Sequence, residues 1–376
     1  MLEYIKIEGF KSIKTMELEL KPINVLIGSN GSGKSNFIAF FRLVHAIFNR
    51  QLQRFVIEEK SDNLLYFGRK TTESLYGKMI FTEGKENNNA YLFKLNQTKE
   101  GGLFIQNEVS GLLIQREASG FNVLKDDDFK NYYGKLNIEE SYIPESTSFR
   151  DQYLRKYLAN IQIYHFNDTS ATSMLRKECD LADNLYLKPD GRNLPAFLYY
   201  LKVEYPKTFR RLEKTIQQVA PYIDHLLLEP SRLNKKEIEL RWVEKSDLQS
   251  SFSAYQFSDG TLRFIALSTV LMQPEPPAVI IIDEPELGMH PQSISKLAAL
   301  IKSASAKTQI IISTQSVNLV DCFDPENIVA VDRSEDEKQS IFKRLDPESL
   351  KTWLEDYSLG DLWQRNIINS AQPFSK

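Results

Sequence analysis

Residues 28–35 constrain this chain more than any other stretch. Gly28-Ser29-Asn30-Gly31-Ser32-Gly33-Lys34-Ser35 fits the pattern G-x-x-x-x-G-K-[ST]. Before it runs the apolar Ile23-Asn24-Val25-Leu26-Ile27, and after it comes a helical pattern from Phe37 and Ile38 to Phe48. The motif therefore sits where a buried strand ends and a helix begins. Glycines there let the backbone curl so that its N–H groups converge on phosphate oxygens. The helix start adds the positive end of its dipole. Lys34 would reach the β- and γ-phosphates, and the Ser35 hydroxyl would ligate Mg²⁺. A plain glycine turn is the competing reading, and the strand–motif–helix context argues against it.

A second stretch matches the first in chemistry. Ala278-Val279-Ile280-Ile281-Ile282-Asp283-Glu284 is an apolar strand ending in two acids. Buried strands of α/β sheets deliver side chains to their carboxyl ends, where ligands bind. Asp283 would hold Mg²⁺ through water, and Glu284 would polarise an attacking water as general base. Two acids at a strand exit are common, so the pair gains meaning only downstream of a phosphate loop. Phe257-Ser258-Asp259-Gly260-Thr261 precedes the helix leading to this strand, and Ser258 or Asp259 reads as a helix cap. A last strand ends Ser313-Thr314-Gln315-Ser316.

Around these stretches the pattern is α/β. Tyr4-Ile5-Lys6-Ile7-Glu8 and Met16-Glu17-Leu18-Glu19-Leu20 alternate as half-buried strands do. Residues 78–82, 91–95, 103–106 and 112–115 read as short strands between turn-forming clusters, which implies an antiparallel meander. Phe197, Leu198, Leu201, Phe209, Leu212, Ile216 and Val219 mark helices with apolar faces. Their polar side carries Lys207, Arg210, Arg211 and Lys214, either a solvated face or a phosphate-contacting stripe. From Ile238 onward, strands alternating with helices imply a mainly parallel, covered sheet. The expected segments are an amino-terminal lobe at 1–125, a helical insertion at 126–225, a second lobe at 226–345 and a helical tail at 346–376. Asp126-Asp127-Asp128 reads as a solvated loop.

The net charge of −3 over 376 residues gives no whole-molecule attraction to nucleic acid, so DNA contact would need a local basic patch. Cys179 and Cys322 lie far apart, which excludes a disulfide framework and fits a reducing cytoplasm. No signal-like start and no apolar run of about 20 residues is present, so no membrane segment is expected.

Ser258-Asp259-Gly260-Thr261 resembles the signature motif of ABC ATPases, and the order of phosphate loop, signature, Asp-Glu strand and polar-ended strand matches that family. The resemblance implies an α/β P-loop NTPase fold of the ABC type, with a mainly parallel core sheet, an antiparallel β subdomain and a helical insertion. It implies ATP and Mg²⁺ as ligands. Phosphate contacts would come from Asn30, Gly31, Ser32, Gly33, Lys34, Ser35 and Asn36, with Ser258 and Gly260 reaching the nucleotide of a second copy. The family usually has a histidine where Gln315 stands; glutamine takes up no proton but can hydrogen-bond the γ-phosphate and the water.

Ile7-Glu8-Gly9-Phe10-Lys11-Ser12 resembles the start of RecF and SMC-type ATPases, which would put Lys11 and Ser12 near the nucleotide; a strand-to-turn with an exposed lysine reads as well. Pro285-Glu286-Leu287-Gly288-Met289-His290-Pro291 resembles the corresponding segment of ATPases grouped with RecF and the OLD proteins. His290 has no second metal ligand at a suitable spacing, and a contact across the dimer fits it better. Tyr164-His165-Phe166-Asn167-Asp168-Thr169-Ser170 and Tyr357-Ser358-Leu359-Gly360-Asp361-Leu362-Trp363 resemble the same group without an evident chemical role. The Mg²⁺-contacting glutamine of many ABC proteins has two candidates by location, Gln97 and Gln106. The resemblance implies an ATP-linked homodimer or higher oligomer acting in DNA maintenance or phage defence. Double-stranded DNA and a separately encoded effector such as a nuclease are the implied partners. Two other classes stay open: a transporter's ATPase subunit, and a scaffold that binds ATP without turning it over.

Overall fold

The computed structural model describes residues 1–83, 87–113, 133–334, 336 and 338–368. It divides into two compact units, each assembled from separate stretches of sequence. The first comprises Met1–Ile161, Pro325–Tyr357 and Leu362–Lys376; the second comprises Gln162–Asp324 and Ser358–Asp361.

The first unit opens with β1 (Leu2–Phe10), β2 (Ile13–Glu19) and β3 (Ile23–Ile27), then α1 (Lys34–Phe48). β4 (Ser74–Glu83), β5 (Asn87–Gln97), β6 (Leu103–Leu113) and β7 (Tyr133–Ile138) complete a six-stranded antiparallel sheet of order β2-β1-β4-β5-β6-β7. Ile5, Ile7, Leu75, Met79, Phe93 and Ile105 are all buried in this unit. The aromatic face of α1 packs on the sheet: Phe40 stacks on Phe93 with ring centroids 5.8 Å apart and meets Phe10 edge-on at 5.7 Å. Such pairs add about 0.5–1.5 kcal/mol each beyond the area they bury.

In the second unit, β8 (Ile161–Tyr164) is followed by α2 (Leu194–Glu204) and α3 (Pro206–Val219). A small antiparallel sheet comes next: β9 (Ile223–Leu227), β10 (Arg241–Glu244) and β11 (Asp247–Ser253). Then come α4 (Asp259–Met272), β12 (Val279–Asp283), α5 (Pro291–Ala304) and β13 (Gln309–Thr314). β12 and β13 pair in parallel, Ile280 opposite Ile310 and Asp283 opposite Ser313, with β8 on the far side of β12. Every residue of β13 is buried, as the continuous apolar runs of a parallel sheet require.

The chain then supplies β14 (Ile328–Arg333) and β15 (Ser340–Arg344) to the first unit. β14 runs parallel to β3, Val329 opposite Leu26, and β15 pairs antiparallel with β14. The α/β class with parallel core strands and a separate antiparallel sheet is thus as expected. The units differ from the expected segments. The stretch placed in a helical insertion includes β7, an edge strand whose residues 134–137 are exposed, so no apolar alternation marks it. Strand β14 pairs with β3, some 300 residues earlier, a link no local pattern carries. The charge run at 126–128 and the end of the expected strand at 112–115 lie outside the described residues.

Candidate functional site

The phosphate loop begins where β3, buried at all five positions, releases the chain at Gly28. α1 starts at Lys34 with no side-chain cap and no acid in its first turn, leaving its first N–H groups for an external acceptor. Gly33 has φ 119°, and a Cβ there would lie 2.1 Å from Ser340 Oγ, so only glycine fits. Lys34 is buried, and its Nζ donates to the Gly28 carbonyl at 2.6 Å and the Ser29 carbonyl at 3.0 Å. Ser32 Oγ is buried without a hydrogen-bond partner among the described residues. Asn30, Gly31 and Ser35 are exposed. An orphaned buried hydroxyl and uncapped amides around a buried ammonium fit a phosphate chain.

A serine cluster backs the loop. Ser340 Oγ donates to the Ser32 carbonyl at 2.5 Å and lies 2.7 Å from Ser12 Oγ, while Asn36 Nδ2 donates to Ser12 Oγ at 2.7 Å. Ser12 therefore touches the loop's support and the first turn of α1. Lys11 sits at φ 48°, and its Nζ pairs with Glu59 at 3.3 Å. A cleft of about 910 Å³ borders Lys11, Ser12, Asn36, Phe67, Arg69 and Lys338. Gln97 is committed elsewhere: its Nε2 donates to the Arg69 and Thr72 carbonyls at 3.0 and 2.7 Å. Gln106 lies within β6.

The second unit places its acids at the carboxyl ends of β12 and β13. Ser313 Oγ donates to Asp283, and Gln315 Nε2 donates to the Glu284 carboxylate. Glu284 has φ 47°, a left-handed conformation that costs a non-glycine residue energy and clusters at functional sites. Its backbone N–H donates to the Ser313 carbonyl at 3.0 Å. Asp283 and Ser35 present hard oxygen donors of the kind Mg²⁺ takes.

Sequence reasoning gave no role to Glu286, which is buried. Its Oε1 accepts from Thr314 Oγ1 at 2.5 Å and from the Gln315 N–H at 3.2 Å. Burial raises its carboxyl above the usual range, against those two hydrogen bonds and with a further push from Glu284. Glu286 thus fixes the residue that holds Glu284.

Ser258 caps α4, its Oγ accepting from the Thr261 N–H at 3.2 Å, and it stays exposed. Gly260 is required by packing: a Cβ there would meet the Gly288 carbonyl oxygen at 2.3 Å. His290 caps α5, its Nδ1 accepting from the Gln292 N–H at 3.3 Å. Among the described residues no group of three or more His, Cys, Asp or Glu is placed to hold a metal ion by itself.

The two stretches without an evident role now have structural ones. Arg263 of α4 donates to the Phe166 and Asn167 carbonyls at 2.8 and 2.9 Å. Arg176, also buried, donates to the carbonyls of Thr169, Ala254 and Phe257 and pairs with Asp259 at 2.7 Å. These two arginines tie the 164–170 stretch to the start of α4. Gly360 N donates to Asp321 Oδ1 at 2.6 Å, fixing the turn that follows β13. An isolated arginine announces none of this; only its burial, visible in the fold, does.

Residues 23–321 match the family model described as "AAA domain, putative AbiEii toxin, Type IV TA system". The energy-coupling factor transporter ATP-binding protein EcfA2 of Mycoplasma pneumoniae is 30% identical over 139 residues, 31% of this chain and 45% of that protein. The chain thus spans less than half the length of that relative. Among solved structures, an SMC head bound to the C-winged helix domain of ScpA superposes with a TM-score of 0.60 at 16% identity, over 93% of this chain and 99% of that one. An SMC head with an extended coiled coil, bound to the C-terminal domain of ScpA derived from Pyrococcus furiosus, gives 0.51 at 16% identity, over 94% and 98%. The match over most of its length makes this chain a member of that AAA-domain family, and its phosphate loop sits in a fold similar to that of SMC heads.

Proposed function

We propose that this chain binds Mg²⁺-ATP and hydrolyses it as a head-to-tail dimer, using the cycle to switch a DNA-related or anti-phage process through a separately encoded effector. The observation that carries the reading is the Asp283–Glu284 pair at the tip of β12, with Glu284 held by Gln315. Lys34 and the α1 amides neutralise the β- and γ-phosphates, and Asn30 to Asn36 enclose them. Ser35 and Asp283 are the residues that would hold Mg²⁺, which when bound would offset the charge of the phosphate oxygens. Glu284 takes the proton of the attacking water, and Gln315 orients both. The base and ribose occupy the cleft beside Lys11 and Ser12. Ser258 and the amide of Gly260, at the exposed start of α4, contact the γ-phosphate bound by the other copy. Loss of that phosphate releases the two copies.

A partner protein is supported by the toxin–antitoxin description of the family and by SMC heads found bound to ScpA. Among the described residues no helix is long and apolar enough to cross a membrane. A cytoplasmic protein is the simplest setting. The test is Glu284→Gln, measured by phosphate release and by light scattering in Mg²⁺-ATP. We expect turnover to fall about 10²–10⁴-fold while a dimer accumulates; unchanged turnover removes Glu284 from the base role. The EcfA2 match favours a second reading, a transporter's ATPase subunit. Co-purification with a multi-span membrane protein from the native host would select it.

A further inference from the structure

One bulky side chain in the first unit is held where its own chemistry disfavours it. Phe67 has φ 52°, in the left-handed region where a large non-glycine residue is rare. It is also 54% exposed, so its ring forgoes burial as well. The turn around it is tied on every side. The Tyr66 N–H donates to the Gly9 carbonyl and the Gly68 N–H to the Leu65 carbonyl, each at 3.0 Å. Thr72 Oγ1 donates to the Tyr66 carbonyl at 2.5 Å, and the Arg69 N–H to Asp62 at 3.0 Å. Gln97, at the end of β5, holds the Arg69 and Thr72 carbonyls from the other flank. Tyr66 is buried and meets the Phe67 ring edge-on, with centroids 4.6 Å apart. Strain maintained by this many bonds points to a use for the ring.

The ring lines the 910 Å³ cleft together with Ser12 and Asn36. Asn36 belongs to the first turn of α1 and donates to Ser12 Oγ, and Ser12 touches the Ser340 hydroxyl that holds the Ser32 carbonyl. The cleft is therefore continuous with the back of the phosphate loop. Lys70, Arg333 and Lys338 also line it, and none of the three makes an ion pair among the described residues. An occupant that uses all of this carries negative charge and a flat apolar face. We propose that Phe67 is the platform on which the base of the bound nucleotide stacks, and that it makes the site prefer a purine. The inference rests on the nucleotide reading above and adds the residue that reads the base. A single nucleic-acid strand would also use a ring and cations, but successive bases need successive rings. Of the two aromatic side chains that line the cleft among the described residues, Tyr66 is buried and only Phe67 is presented. One platform beside one phosphate site suits one nucleotide. Stacking strengthens with ring area, so a two-ring purine gains more than a pyrimidine.

The experiment titrates the full chain with ATP, UTP and inorganic triphosphate by calorimetry, in EDTA so that nothing turns over. We expect the parent to bind ATP more tightly than UTP. Phe67→Ala should weaken ATP about tenfold or more and close the gap between ATP and UTP. Inorganic triphosphate, which has no base, should bind the variant as it binds the parent, and that control separates a lost platform from a damaged phosphate loop. Phe67→Trp keeps a stacking face and should restore the preference for ATP. The proposal is overturned if Phe67→Ala binds ATP as the parent does, or if it loses ATP and triphosphate in equal proportion. Unchanged ATP binding with loss of a single strand of about ten thymidines would assign the ring to nucleic acid instead. A parent that binds no ATP sinks the nucleotide reading itself, an outcome distinct from a failure at Phe67 alone.

Discussion

The side-chain amide of Gln315 donates to the Glu284 carboxylate, so the residue just past β13 aims the acid just past β12. Gln315→Ala is expected to lower kcat about 10–100-fold with little change in KM for ATP, since the contact orients rather than binds. Gln315→His keeps a donor and should retain much of the rate while adding a pH dependence near about 6.5. Phosphate-release kinetics across pH separate the two; equal rates for parent and Ala variant would detach Gln315 from the water.

Glu286 makes a pH prediction. Its folded carboxyl lies above the ordinary value of 4.5, so the native state holds that proton more tightly than the unfolded chain. Its contribution to stability is full below that value and is lost as pH rises through the raised one. Glu108 is raised by burial too and adds in the same direction. Glu286→Gln should therefore flatten, without abolishing, the fall in stability between about pH 4.5 and neutrality, as read by denaturant midpoints at several pH values. An unchanged slope would show that Glu286 titrates normally.

Ser340→Ala removes the donor to the Ser32 carbonyl and the contact to Ser12. We expect a loss of about 1–2 kcal/mol in stability and several-fold weaker binding of a fluorescent ATP analogue. Normal nucleotide affinity in a destabilised variant would limit Ser340 to a folding role.

Arg176→Ala strands three buried or half-buried carbonyls and frees Asp259 at the head of α4. A loss of about 2–3 kcal/mol is expected, together with weaker ATP-dependent dimerisation, because Ser258 sits beside that contact. Calorimetry and sedimentation in Mg²⁺-ATP read the two effects.

What was legible in the sequence follows physical range. The phosphate loop, the Asp283–Glu284 strand and the capped start of α4 are local patterns, written by periodicity and by residues with special backbone or charge needs, and the fold places them at strand and helix ends as their spacing implied. The unit boundaries were not legible, because β14 finds β3 across some 300 residues and β7 lacks an apolar stripe. Glu286 and Arg176 escaped for a related reason: an acid or an arginine in sequence looks solvated, and only burial and the carbonyls around it reveal its task. Gly260 carried a phosphate reading, yet its need for a missing Cβ comes from Gly288.

The pairing of β14 with β3, and of Ser340 with the phosphate loop, also bears on how the protein is made. A ribosome adding about 5–20 residues per second emits the loop early and its back wall only after residue 340. The nascent chain thus carries a recognisable nucleotide motif for most of its synthesis without the scaffold that shapes it. Competence arrives late and at once, so fragments released before that point fold without a working loop.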